Sequence, residues 1–136
     1  MAYRLERESG RTIELEVNGE ILQIPVKGMA VYRKVLDAQS RLKDIQTKIE
    51  KMTKDKVDIT PELVEFLGQT VIYLFNVAFG EAITQKILDF YEGNYDEMLL
   101  KVYPFLLSVY LPALKDNAKA ESQAYAKRLA GASGKA

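Results

Sequence analysis

A chain of 136 residues with 48% hydrophobic content is sized for one domain around one core. His, Cys and Trp are absent, which removes disulfides, thiolate and imidazole catalysis, and the commonest zinc and iron–sulfur ligands. Basic and acidic residues balance at 19 each, so no net field draws the chain to nucleic acid or to an anionic membrane surface.

Residues 1–10 alternate charges at Arg4, Glu6, Arg7 and Glu8 and carry no apolar run, so they do not read as a secretory signal and the expectation is a cytoplasmic protein. Residues 12–17 then alternate apolar and polar side chains, Asn18-Gly19 follows, and alternation returns to Val26. Asn-Gly between two alternating runs predicts a two-residue hairpin turn. That turn sets Val17 opposite Glu20, Leu15 opposite Leu22 and Ile13 opposite Ile24, with Glu14 and Gln23 on the other face. An isolated hairpin is marginal, so its apolar face must pack on helices or on a partner.

From Met29 to about Lys54 the apolar residues fall in two heptad rows: Val35, Leu42 and Ile49, and Val31, Ala38, Ile45 and Met52. The pattern has two readings, an amphipathic helix on its own core or a coiled-coil-like seam offered to a partner. On the second reading Leu42, Ile45, Ile49 and Met52 are candidate protein-binding residues.

Thr60-Pro61-Glu62 reads as an N-cap, a first helical position and an acidic second position. The helix it opens carries Leu63, Phe66, Leu67, Val71, Leu74 and Phe75, is apolar nearly all round in its second half, and is expected to be central. Gly80 punctuates its end. A third helix over residues 81–91 is closed by Gly93, and Asn94 with Glu97 predicts a capping box opening a fourth. Apolar spacing continues from Met98 to Leu114 through Pro104 and Pro112, each a predicted kink or break. Residues 115–130 read as a weakly docked helix and residues 131–136 as a flexible tail.

The longest uncharged stretches, residues 66–80 and 102–114, fall short of the roughly 20 residues of a spanning helix and are expected to be buried core. The fold class is therefore mainly α: one bundle-like domain, residues 1–130, in which an N-terminal β-hairpin (residues 12–26) precedes four to five helices.

Neutrality hides segregated charge. Residues 33–56 hold eight basic and four acidic side chains, residues 57–100 one basic and eight acidic. Faces of opposite sign suit self-association or a charged partner. Asp96 and Glu97 fit the positive end of a helix better than an acid/base pair, and Asp55 with Asp58 supplies too few converging oxygens for a cation. No Gly-rich phosphate loop occurs. The expectation is thus a non-enzyme with no metal, no cofactor and no nucleic-acid or membrane partner. Phe90, Tyr91, Tyr95, Tyr103, Phe105 and Tyr110 concentrate around the third and fourth helices. Core is the expectation for Phe90 and Phe105, whereas Tyr91, Tyr95, Tyr103 and Tyr110 divide evenly between core and protein-binding surface.

The hairpin ending in Ile24-Pro25-Val26, the long charged helix, and the run Ala78-Phe79-Gly80-Glu81, Ile87-Leu88-Asp89-Phe90-Tyr91 and Gly93-Asn94-Tyr95 together resemble small tail assembly chaperones of long-tailed phages infecting Gram-positive bacteria. Tyr103-Pro104-Phe105 and Tyr110-Leu111-Pro112 continue the likeness, which spans about residues 12–115. The resemblance implies a protein of the host cytoplasm that coats the tape measure protein, keeps it soluble, helps recruit tail tube protein, and is absent from the finished virion. It also implies a family often made in two lengths by ribosomal frameshifting. Competing expectations are a virion structural protein such as a head–tail connector, and a small dimeric regulator paired through residues 31–52. A tube subunit is disfavoured, since those are usually β-rich and one hairpin among helices is not.

Overall fold

The structure is a computed structural model and describes residues 11–133. Residues 1–10, on which the reading of no secretory signal rests, and tail residues 134–136 lie outside the described residues. Strands β1 (Thr12–Val17) and β2 (Glu20–Pro25) pair antiparallel with Ile13 opposite Ile24, Leu15 opposite Leu22 and Val17 opposite Glu20, the predicted register. Asn18 (φ 52°) and Gly19 (φ 79°) both take the left-handed conformation that a two-residue turn matched to strand twist requires. The outer face ties Thr12, Gln23 and Glu14 together by side-chain hydrogen bonds, while Leu22 and Ile24 are buried. Val26 extends the ladder by donating to the Arg11 carbonyl at 2.8 Å.

Helix α1 (Met29–Lys54) buries Val35, Ala38, Leu42 and Ile45, so its predicted seam faces its own domain. Its end is a Schellman closure: Lys56 N–H donates to Thr53 O (3.2 Å), and Val57 N–H to Met52 O (2.8 Å). Helix α2 (Pro61–Phe79) runs back along α1 after Thr60 Oγ1 caps it by accepting from Leu63 N–H at 3.2 Å. As expected, α2 is central: Val71, Leu74, Phe75, Ala78 and Phe79 are buried. Phe79 anchors an aromatic cluster, with ring centroids 5.5 Å from Phe75, 6.0 Å from Phe105 and 5.3 Å from Tyr110.

Gly80 ends α2 and starts α3 (Glu81–Phe90) at φ 90°, ψ 157°, a conformation open essentially to glycine alone. Gly80 O accepts both the backbone N–H and the hydroxyl of Thr84, which lets a buried threonine sit at the corner satisfied. The close of α3 corrects the sequence reading by one residue: Glu92 (φ 53°) takes the left-handed cap position, and Gly93 follows it. Asn94 Oδ1 accepts from Glu97 N–H at 3.2 Å, whereas Asn94 N–H goes to Tyr91 O. The predicted box is thus a one-sided cap.

From there one helical path continues as α4 (Tyr95–Lys101), a single turn α5 (Tyr103–Phe105), a π-helical turn (Leu106–Tyr110) and α6 (Leu111–Ser133). Neither proline ends the path. Backbone angles stay right-handed helical at Val102, Leu106 and Leu111, and the irregularity is taken up by the widened turn before Pro112, where Leu111 N–H reaches back to Leu106 O. A π turn absorbs the bond that the missing proline N–H cannot make.

The start of α6 is docked and the remainder is not, in keeping with the expectation of a weakly docked helix over residues 115–130. Leu114 and Ala118 are buried, Asn117 Nδ2 donates to the carbonyls of Val26 (3.2 Å) and Lys27 (3.3 Å), and the Glu121 carboxylate accepts Met29 N–H at 3.1 Å. An acidic side chain 92 residues away therefore caps α1, whose own N-cap, Gly28, has no side chain to do so. Past Glu121 the helix is exposed, and it continues through Gly131–Ser133, where the flexible tail was expected to begin.

Candidate protein-binding surface

The eight candidate residues do not form one site. Leu42 (fully buried) lies in the main core, Ile45 is buried one turn farther along α1, and Ile49 and Met52 are partly covered as α1 and α2 run out toward their connecting loop. Tyr110 is fully buried, edge-on to Phe79, with its hydroxyl 3.5 Å from Pro25 O; burial pushes its phenol up to about 12. Tyr95 is half-buried with its ring on Gly68 of α2, where even a methyl group would lie 2.5 Å from Cδ2 and closer still to other ring atoms. These placements make Leu42, Ile45, Tyr95 and Tyr110 packing residues.

Tyr91 and Tyr103 do reach concave surface. Tyr91 packs edge-on against Phe90 (4.9 Å between centroids), and burial, then the Glu97 carboxylate, raises its phenol. The two rings line a cleft between the hairpin and α3 together with Leu15, Val17 and Phe105. Phe90, expected in the core, is 47% exposed: the buried positions of α3 are Thr84 and Ile87, and the Phe90 ring packs edge-on against Tyr91. Tyr103 lines a groove with Leu36, Gln39, Ser40, Lys43 and Gln46 of α1, a mixed polar and apolar wall.

Sequence periodicity missed the most exposed apolar side chains. Leu100 (67%), Tyr125 (62%), Ile21 (58%) and Phe66 (54%) face outward, joined by Val57, Leu129, Val64 and Leu36. Phe66 sits on an acidic helix face with Pro61, Glu62, Glu65 and Gln69. The available signal was the spacing of Glu62, Glu65 and Gln69, which marks the solvent side of α2 and carries Phe66 with it.

No catalytic or metal geometry emerges among the described residues: no group of three acidic, His or Cys side chains converges, and no buried side-chain polar atom lacks a hydrogen bond. Two helical stretches, Pro61–Phe79 and Tyr95–Gly131, are long and apolar enough to cross a membrane by length and composition. In both, the large apolar residues of the inner face, such as Leu74, Phe75, Leu106 and Leu114, are already covered by protein. The chain matches no family model, no curated protein and no solved structure.

Proposed function

We propose that this chain is a non-enzymatic phage tail assembly chaperone, binding the tape measure protein, keeping it soluble in the host cytoplasm and helping to recruit tail tube protein. The observation that carries this reading is the residue pattern through the third and fourth helices, and the exposed side chains Leu36, Phe66, Phe90, Leu100, Tyr125 and Leu129 are apolar surface left available to a client. A long, partly hydrophobic client offers repeated, non-identical apolar segments. The resemblance carried by residues 78–95 and 103–112 supplies the client's identity.

Co-expression tests it. A tape measure segment that precipitates alone should become soluble and co-purify with this chain. Equal precipitation with and without the chain would sink the proposal. Mass spectrometry of mature particles separates the head–tail connector, which would be present in stoichiometric amount. A dimer through residues 31–52 has less support, since exposing Leu42 and Ile45 means opening the domain.

A further inference from the structure

One edge of the hairpin is obstructed and the other is open. In its register the backbone groups of Ile13, Leu15 and Val17 bond across to β2, so those of Thr12, Glu14 and Glu16 point away from it. On the β2 edge the outward-facing residues include Pro25, which has no N–H and whose carbonyl faces the Tyr110 hydroxyl at 3.5 Å. Among the described residues no hydrogen bond reaches the outward backbone groups of β1. The apolar face of the sheet is also unfinished on that side: Leu22 and Ile24 of β2 are buried, whereas Ile13, Leu15 and Val17 are only partly covered. Beyond them lies the cleft of about 140 Å³ walled by Phe90, Tyr91 and Phe105. Leu15 and Val17 line it, no residue of β2 does, and Glu16 lines it although its side chain belongs to the other face. The cleft therefore opens at the edge of β1 and not beneath the middle of the sheet.

We propose that this edge takes a third strand from a partner: an extended segment whose alternate residues are large and apolar, with Lys or Arg between them. Its backbone completes the ladder on Thr12, Glu14 and Glu16. Its apolar side chains continue the inner face, one of them entering the cleft beside Leu15 and Phe90, and its basic side chains lie beside Glu14 and Glu16 on the outer face. Charge selects the occupant. Neither Glu14 nor Glu16 is in an ion pair among the described residues, Glu14 accepting only from Gln23, and Lys101 across the cleft pairs with neither. Two β1 strands paired with their apolar rows on one face and most of their length overlapping would bring Glu14 and Glu16 of one copy beside those of the other, which disfavours a second copy as the occupant. A client segment of the stated pattern supplies the strand; only that source rests on the chaperone reading.

Amide hydrogen exchange followed by NMR on the full chain tests this with a blocked peptide, Lys-Phe-Lys-Val-Lys-Phe-Lys, and without any client, so its failure leaves the chaperone reading standing. In the free chain the amides of Thr12, Glu14 and Glu16 should exchange fast while those of Ile13, Leu15 and Val17 are protected, and saturating peptide should slow the first three by at least about tenfold. Peptide affinity should fall at least about tenfold in Glu14→Lys/Glu16→Lys and about fivefold in Phe90→Ala, an exposed position, and should weaken with added salt. Glu14→Pro, which removes an outward donor and leaves the β1–β2 ladder its bonds, should bind at least about tenfold more weakly than Glu14→Gln, with the Leu15 amide still protected. The same residues with the lysines consecutive, Lys-Lys-Lys-Lys-Phe-Val-Phe, should leave the three amides fast. Outward amides already protected in the free chain, whether by residues 1–10 or by a second copy, equal protection by the two peptides, or charge and Phe90 variants that bind like the parent would each overturn the proposal.

Discussion

Substituting Gly68 by alanine tests whether Tyr95 is a packing residue of the α2–α4 contact or a free surface ring. The added methyl would lie 2.5 Å from Tyr95 Cδ2 and nearer to two other ring atoms, well inside the separations that packed carbon atoms tolerate. The ring must shift or leave its seat, and such overpacking costs about 1–3 kcal/mol. Alanine in a helix interior recovers about 1 kcal/mol of propensity, so the net loss is about 1 kcal/mol, or on the order of 4 °C in Tm for a chain of this size. With Tyr95→Ala in the background the clash is gone, and Gly68→Ala should then stabilise by about 1 kcal/mol. Urea unfolding of the four proteins, followed by circular dichroism, reads the difference as a coupling of about 2 kcal/mol. Equal stabilisation in both backgrounds would show that the ring does not rest on Gly68.

At Gly80 a new methyl would meet nothing within 4 Å, yet Gly80→Ala should lower stability by about 2–3 kcal/mol in the same assay, because φ 90°, ψ 157° is closed to alanine. Glu92→Gly should raise stability by about 0.5–1 kcal/mol, since a side-chain-bearing residue now occupies the left-handed cap of α3. Leu42→Ala should cost about 2–5 kcal/mol in urea unfolding, as expected for a fully buried leucine; an unchanged stability would mean that the seam is not core. The Tyr110 phenol is raised from 10.0 to about 12 by burial, so its contribution is intact below pH 10 and fades as pH rises from 10 to 12, the unfolded chain ionising first. Stability measured across that window should fall by up to about 2 kcal/mol more in the parent than in Tyr110→Phe.

Local chemistry carried much of this fold in the sequence itself. The Asn18-Gly19 turn and period-2 alternation determined the hairpin register, and Thr60 and Asn94 announced the helix starts they cap. Each of these signals acts between residues a few positions apart, within reach of backbone geometry. The four-helix order after the hairpin followed from the same punctuation. The heptad rows of α1 likewise identified its apolar side, although not what that side would touch.

Tertiary structure decided the rest, because the deciding neighbours are distant in sequence. Whether Leu42 and Ile45 are core or interface depended on what the distant elements covered, and Phe90 stayed half-exposed while Thr84 and Ile87 took the buried positions of α3. Glu121 could not be read as the cap of a helix 92 residues earlier, nor Gly68 as a seat for Tyr95. The same long-range packing left Phe66 uncovered at one end and Tyr125 at the other: α1 and α2 continue past the core at the first, α6 at the second. Periodicity states which face of a helix is apolar; only the assembled fold states where each helix outruns its partners and leaves apolar side chains uncovered.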